Sequence, residues 1–156
     1  MDVITLAVPS VGEVNLTKDS APAPISLFLH GSFGACSPWD YCPIGVDVIS
    51  EDMTELSSGH VHQIEEILAD HQTLLDRASS FANARLDDIE PVALFLPEFL
   101  FWPIEDSTEP ISWGINFQQG QSGSAYSDGV IIYFTGTTPI DVSDTTDDEP
   151  LYPEEN

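Results

Sequence analysis

Positive charge is almost missing from this chain. Lys18, Arg77 and Arg85 are its only bases, set against 27 acidic residues in 156 positions. An ordinary soluble domain is about 25% charged, so roughly 20 residues of each sign would be usual at this length. The acids exceed that figure by about 7 and the bases fall short by about 17. The imbalance is therefore mainly a loss of bases. From Leu86 to Asn156 there are 15 carboxylates and no basic side chain. A chain like this cannot balance its charge internally. It must fold by apolar burial and spread the repulsion over its surface.

The apolar content suffices for that. It stands at 42%, with eight Phe, four Tyr and three Trp. A disordered acidic tail would be poor in aromatic and β-branched residues. One domain with a true core is expected over 1–142, followed by an acidic, flexible tail over 143–156 (DVSDTTDDEPLYPEEN runs from Asp141). No run reaches the roughly 18 apolar residues that span a bilayer. The start, MDVITLAVPSVGEV, lacks a basic region ahead of an apolar one, so it does not read as a signal peptide. The expectation is a cytoplasmic protein without a membrane association. Cys36 and Cys42 are too few for a disulfide scaffold and are not at a zinc spacing.

Hydropathy patterning outlines the elements. Val3 to Val8 and Gly12 to Thr17 read as a hairpin, Ile25 to His30 as a third strand and Ile44 to Ser50 as a fourth. Val61, Ile64, Ile67, Leu68, Leu74, Leu75, Ala78, Phe81 and Ala82 fall on one apolar stripe at helical spacing, about six turns long. Ser57 or Ser58 suits its N-cap. Glu65 and Glu66 come early and Arg77 and Arg85 late, as the helix dipole favours. Val92 to Ile104 (VALFLPEFLFWPI) reads as a strand followed by a short helical turn, lining the core. Ile111 to Phe117, Val130 to Thr135 and Ile140 to Val142 form a C-terminal β-meander. The fold class expected is α+β: mostly antiparallel sheet, one long central helix and the meander.

Catalytic and metal signatures are weak. There is no phosphate loop with a lysine, no GxGxxG and no HExxH. HGSFGACSP has the look of an oxyanion turn before Cys36, but nothing sets a base beside that thiol. His60 and His62 share a face only on a strand; at a helix start, positions i and i+2 diverge. His62 and Glu66 are correctly spaced, but two ligands do not make a site. His71 falls on the apolar side and reads as a hydrogen-bonded, nearly core residue. DTTDDEP does not meet the calcium-loop pattern. No catalytic residue, metal or cofactor is expected.

A basic partner is what the charge suggests. Acidic surfaces repel nucleic acid and attract cationic proteins, raising on-rates and excluding wrong partners. Two readings share this physics: a tight inhibitor of a basic protein, and a DNA mimic that occupies a nucleic-acid groove. Halophilic adaptation would instead add acids generally.

The order of segments adds a resemblance. ISLFLH and IGVDVIS, the helix HVHQIEEILADHQTLLDRA with Gln63, and the hairpin carrying Trp113, Gly114, Phe117, Gly129, Val130, Phe134 and Gly136 resemble small bacterial immunity proteins of polymorphic toxin systems. The likeness covers roughly 3–142. It implies a non-enzymatic cytoplasmic protein that binds and blocks a cognate toxin. The charge adds that the toxin face is basic, as in a nuclease-type domain. The alternative is a DNA-mimic inhibitor of a host nucleic-acid-binding protein. Either way, the partner is a basic protein and not nucleic acid itself. Contact residues are expected among exposed acids and aromatics on loops and strand ends: Trp39, Asp40 and Tyr41; Glu105, Asp106 and Glu109; Tyr126 and Asp128. Aromatics would supply burial and carboxylates steering.

Overall fold

Alternation of apolar and polar side chains carries most of this chain into strands. In a computed structural model, residues 3–9, 11–34, 44–85, 94–104, 109–120 and 129–144 are described. They form β1 (Val3–Val8), β2 (Gly12–Lys18), β3 (Leu27–Phe33), β4 (Ile44–Ser50), α1 (Ser58–Ala69), α2 (His71–Asn83), β5 (Leu94–Trp102), β6 (Ser112–Gly120), β7 (Val130–Thr135) and β8 (Thr138–Asp144). The strands make one eight-stranded sheet in chain order. Every neighbouring pair is antiparallel except β4 and β5, which run parallel. A parallel pair needs a long crossover, and the helices occupy it.

One face of the sheet packs on the helices. Leu6, Leu16, Leu29, Val46, Val48, Phe99, Phe101, Trp113, Ile115 and Phe117 meet Ile64, Leu68, Leu74, Leu75 and Ala78 in a continuous core. Trp113 lies at its centre. Its ring stacks 4.2 Å from Phe134 and about as parallel to Phe99 at 5.9 Å, and its Nε1 donates to the Gly136 carbonyl at 2.9 Å.

The sheet curls around the helices. Gln63 and Glu65 lie two residues apart on α1, yet they reach opposite parts of the sheet. The Glu65 carboxylate accepts from the Ala7 N–H of β1 at 2.8 Å, and the Gln63 carbonyl accepts from Ile111 N–H, just before β6, at 2.7 Å. In a flat sheet those strands would be about 24 Å apart, five steps of roughly 4.8 Å. Curling brings them both within reach of one helical turn. It also protects the edges, which are otherwise open to pairing with another chain. Glu65 caps an outward N–H of β1, α2 packs beside β7 and β8, and β8 carries Pro139.

The single long helix expected over 61–82 does not form. Two short helices replace it, broken at Asp70, and the sheet is mixed instead of mostly antiparallel alone. Asp70 has φ −106° and ψ 23°, outside the helical well. Its N–H bonds back to the Ile67 carbonyl at 3.1 Å, a tightened last turn. His71 Nδ1 then donates to the Leu68 carbonyl at 2.9 Å and satisfies an end group. Aspartate competes for backbone bonds and tolerates such ends, whereas the apolar stripe continues in phase on both sides. The stripe therefore looked like one helix. Nor do the charges follow the helix dipole: neither helix has an acid in its first turn or a base in its last. Residues 94–102 are one strand, without the helical turn expected there.

Ser57 is the N-cap of α1. Its hydroxyl accepts from His60 N–H at 3.2 Å, and the His60 ring answers toward the Ser57 backbone N–H at 3.4 Å. His60 is thus buried as a capping residue. Replacing Ser57 by Ala should cost about 1 kcal/mol, readable as a lower urea midpoint with an unchanged slope.

Candidate functional site

Two isolated acids interrupt otherwise apolar strands. Asp47 is in the middle of β4 (IGVDVIS) and Glu98 is in β5 (LFLPEFLFW). Val46, Val48, Phe99 and Phe101 point into the core, so period two puts Asp47 and Glu98 on the opposite, outer face. Strand register sets their neighbours. His30, Asp47, Leu100, Gly114 and Tyr133 form one row across β3 to β7, and Ser32, Gly45, Glu98, Asn116 and Ile131 form the next. Asp47 and Glu98 are diagonal neighbours in this grid and share a side-chain hydrogen bond.

The local backbone makes room for them. A Cβ on Gly45 would come 2.9 Å from the Glu98 Cβ. Glycine there lets Glu98 lie over β4. Upstream, Leu96 has φ 55°, a left-handed conformation that costs a leucine about 1–2 kcal/mol. Leu94 and Phe99 both reach the core, although five residues apart they would face opposite ways in a regular strand. The turn at Leu96 reverses the parity and sends Glu98 outward.

Both carboxylates are half-buried, and both bind protons more tightly than usual. Asp47 is pushed from 3.8 up to about 7, first by burial and then by the charge on Glu98, while His30 draws it down. Burial also raises Glu98, against hydrogen bonds from Asn116 and Asp47 that hold it lower. Two adjacent carboxylates cannot both ionise freely, so near neutrality the pair holds a proton part of the time. Asn116 completes the group. Its Nδ2 donates to Glu98 Oε1 at 2.9 Å. The residue is only 6% exposed, and its Oδ1 has no hydrogen-bond partner among the described residues. A buried acceptor left unpaired costs about 1–3 kcal/mol.

Two ring pairs lie on the same face of the sheet. His30 stacks on Phe28 at 5.7 Å and pairs with Asp19 at 2.8 Å. Trp102 and Tyr133 pack with centroids 5.9 Å apart, Trp102 lying over Gly114. An added Cβ at Gly114 would meet the Ile132 carbonyl at 2.7 Å and the Trp102 ring at 3.4 Å. Gly114→Ala should destabilise the fold by about 1–3 kcal/mol through this overpacking, and a shift in the Trp102 side-chain resonance would report the displaced indole.

The bases of the chain are engaged elsewhere. Lys18 reaches the Thr54 carbonyl at 3.5 Å, Arg77 donates to the Thr137 carbonyl at 2.9 Å, and the Arg85 guanidinium lies 4.4 Å over the Phe81 ring. Asp47 and Glu98 are thus half-buried carboxylates that no described Lys or Arg is seen to neutralise, while the Asn116 amide oxygen is shut off from solvent. Chemically the two carboxylates are acceptors suited to a cation that donates hydrogen bonds.

Trp39, Asp40, Tyr41, Glu105, Asp106, Tyr126 and Asp128 lie outside the described residues, as do Cys36, Cys42 and the tail beyond Asp144. Glu109 is exposed, and its carbonyl accepts from Gln63 Nε2 at 3.3 Å. Gln63 is therefore a clamp on 109–111. His62 pairs with Glu66 at 3.2 Å on an exposed face, and no group of three or more metal-ligating acids, His or Cys occurs among the described residues. No described helix is long and apolar enough to cross a membrane.

Asp47, Glu98 and Asn116 stand outside the acid-rich loops, where the sequence concentrates its carboxylates. A lone acid inside an apolar strand is the better signal, since burying a carboxylate is costly unless something compensates it. No family model, curated protein or solved structure matches the chain.

Proposed function

We propose that this chain is a non-enzymatic acidic binding protein of the cytoplasm that neutralises a basic toxin domain, of the nuclease type, by direct complex formation. The observation that carries the reading is the half-buried Asp47–Glu98 pair on the outer sheet face, away from the contacts that the chain's lysine and arginines make. Desolvated carboxylates that no described Lys or Arg neutralises cost stability, and a cationic partner recovers that cost on docking. The net charge of −24 steers such a partner from a distance. The pair does not favour DNA mimicry. Asp47 and Glu98 are in hydrogen-bond contact, closer than successive backbone phosphates stand.

The test begins with the genes beside this one. A basic toxin domain encoded there should form a stable complex with the purified chain and lose its activity. Added salt should weaken the complex steeply, because steering charges are screened within about 10 Å at 0.1 M. Absence of a basic toxin domain, or a toxin domain that stays fully active in the presence of excess chain, would refute the reading.

A further inference from the structure

We infer that the groove between α2 and β8 receives the C-terminal segment of this same chain. Leu151 and Tyr152 lie against the Phe81 ring, and the acids on either side of them face Arg77 and Arg85. The inference stands apart from the toxin reading. Residues 145–156 lie outside the described residues, and it is their sequence that identifies them as the occupant.

The groove measures about 470 Å³ and is lined by Thr73, Asp76, Arg77, Ser80 and Phe81 of α2 and by Pro139 of β8. Part of its surface is apolar. Phe81 is half-buried, and Ile140, next to Pro139, is 53% exposed. Ile140 is the extra residue of a bulge: Tyr133 pairs with Asp141 and Phe134 with Pro139, which leaves it no cross-strand neighbour. Charge here is reversed relative to the rest of the chain, because two of its three bases flank the groove. Arg77 and Phe81 are one helical turn apart, and the Arg85 guanidinium lies 4.4 Å over the Phe81 ring. The stripe therefore reads base, ring, base. Asp76 is the described acid beside it. A guanidinium has five N–H donors, so a carboxylate can join the contacts that Arg77 and Arg85 already make.

The end of the sequence has the complementary order. Asp147, Asp148 and Glu149 precede Pro150, Leu151, Tyr152 and Pro153, and Glu154 and Glu155 follow. It reads acids, apolar pair, acids. The reach also fits. β8 leads away from the groove from Pro139 to Asp144, about 17 Å at the rise of a strand. The stretch from Thr145 to Leu151 extends to about 23 Å, enough to return. Tethering gives the segment a roughly millimolar effective concentration at the groove, so modest contacts suffice. Repulsion from the other acids is screened beyond about 10 Å at 0.1 M salt, so the bases beside the groove set the local sign. Pro150 and Pro153 lack N–H donors, which favours docking through side chains over pairing as a further strand on β8. A second copy would have to bring its whole net charge of −24 to the same groove, which the tethered segment avoids. Docked in this way, the segment covers the basic stripe with carboxylate and shields Ile140 at the sheet edge.

The experiment uses the full chain and NMR. Nuclear Overhauser contacts from the Leu151 methyls and the Tyr152 ring to the Phe81 ring and the Ile140 methyls are expected, unchanged on dilution. Added salt should weaken them, and the double change Arg77→Gln with Arg85→Gln should remove most of their intensity. Leu151→Ser should abolish the Leu151 contacts and move the Phe81 ring resonances. Thermal unfolding checks that the glutamine variant is folded; Leu151→Ser, which alters no described residue, gives an independent reading. Absence of contact between residues 151–152 and Phe81 in the parent chain would leave the groove to a partner and overturn the inference. Contacts untouched by both salt and the glutamine changes, or Phe81 resonances that do not respond to Leu151→Ser, would do the same. Contacts that fade on dilution would put the segment of a second copy in the groove, and would overturn it as well.

Discussion

Replacing Asp47 by Asn should make the protein more stable at pH 8 and poorer at binding its partner. The sign follows from proton linkage. Asp47 binds its proton more tightly folded than unfolded, so the folded state holds more protons between pH 3.8 and about 7. Stability contributed by this group is present below 3.8, is lost as pH rises to about 7 and is constant above. A shift of about three pH units corresponds to about 4 kcal/mol. The carboxylate is only half-buried, and solvent screening reduces that to about 2 kcal/mol. Asparagine matches the protonated acid in shape and can still donate to Glu98. Urea unfolding of both proteins from pH 4 to 8 is the measurement. The variant should gain about 2 kcal/mol over the parent across that range. Parallel stability curves would show that Asp47 ionises as easily folded as unfolded. A residue whose loss stabilises the fold while weakening binding is held there for the binding.

Trp113→Ala should produce the largest loss of stability of any single change proposed. The indole is 1% exposed, stacks on Phe99, Phe101 and Phe134, and satisfies the Gly136 carbonyl. Truncating a buried tryptophan costs about 3–5 kcal/mol. A domain of this size holds only about 5–15 kcal/mol in total, so the loss lowers the melting temperature by roughly 10 °C. Trp113→Phe keeps most of the stacking and removes only the indole donor, at about 1 kcal/mol for the hydrogen bond. Circular dichroism melts of the two variants distinguish packing from hydrogen bonding. A fall of only a few degrees in Trp113→Ala would mean that the stack is not the centre of the core. The position also bears on the site: Trp113 and Asn116 lie on opposite faces of β6, so the core that holds the strand holds the amide.

Much of the strand pattern was legible. Val3–Val8, Ile44–Ser50 and Val130–Thr135 carry the β-rich alternation that identifies them, and Ser57 announces its capping role by type and place. The parallel pairing of β4 and β5 was not legible, because nothing in either strand says that the two become neighbours across the helices. Nor was the break at Asp70. The apolar stripe keeps its phase through Leu68, His71 and Leu74, and periodicity records phase without recording one residue that leaves the helical well.

The sequence alone determined the chemistry available to this protein: abundant carboxylate, scarce base, aromatic residues for a core, and alternating strands to bury them. It also determined which side of its own strand each of Asp47, Glu98 and Asn116 takes, apart from the parity reversal at Leu96. Only the tertiary structure decided that these three meet. Period two assigns a face within one strand and says nothing of which strands become neighbours or at what register. The order β4, β5, β6, the parallel register that sets Glu98 against Gly45, and the curl that clasps the helices are long-range choices. They are made by the combined burial of the core, and they bring two scattered acids and an amide together on one face of the sheet.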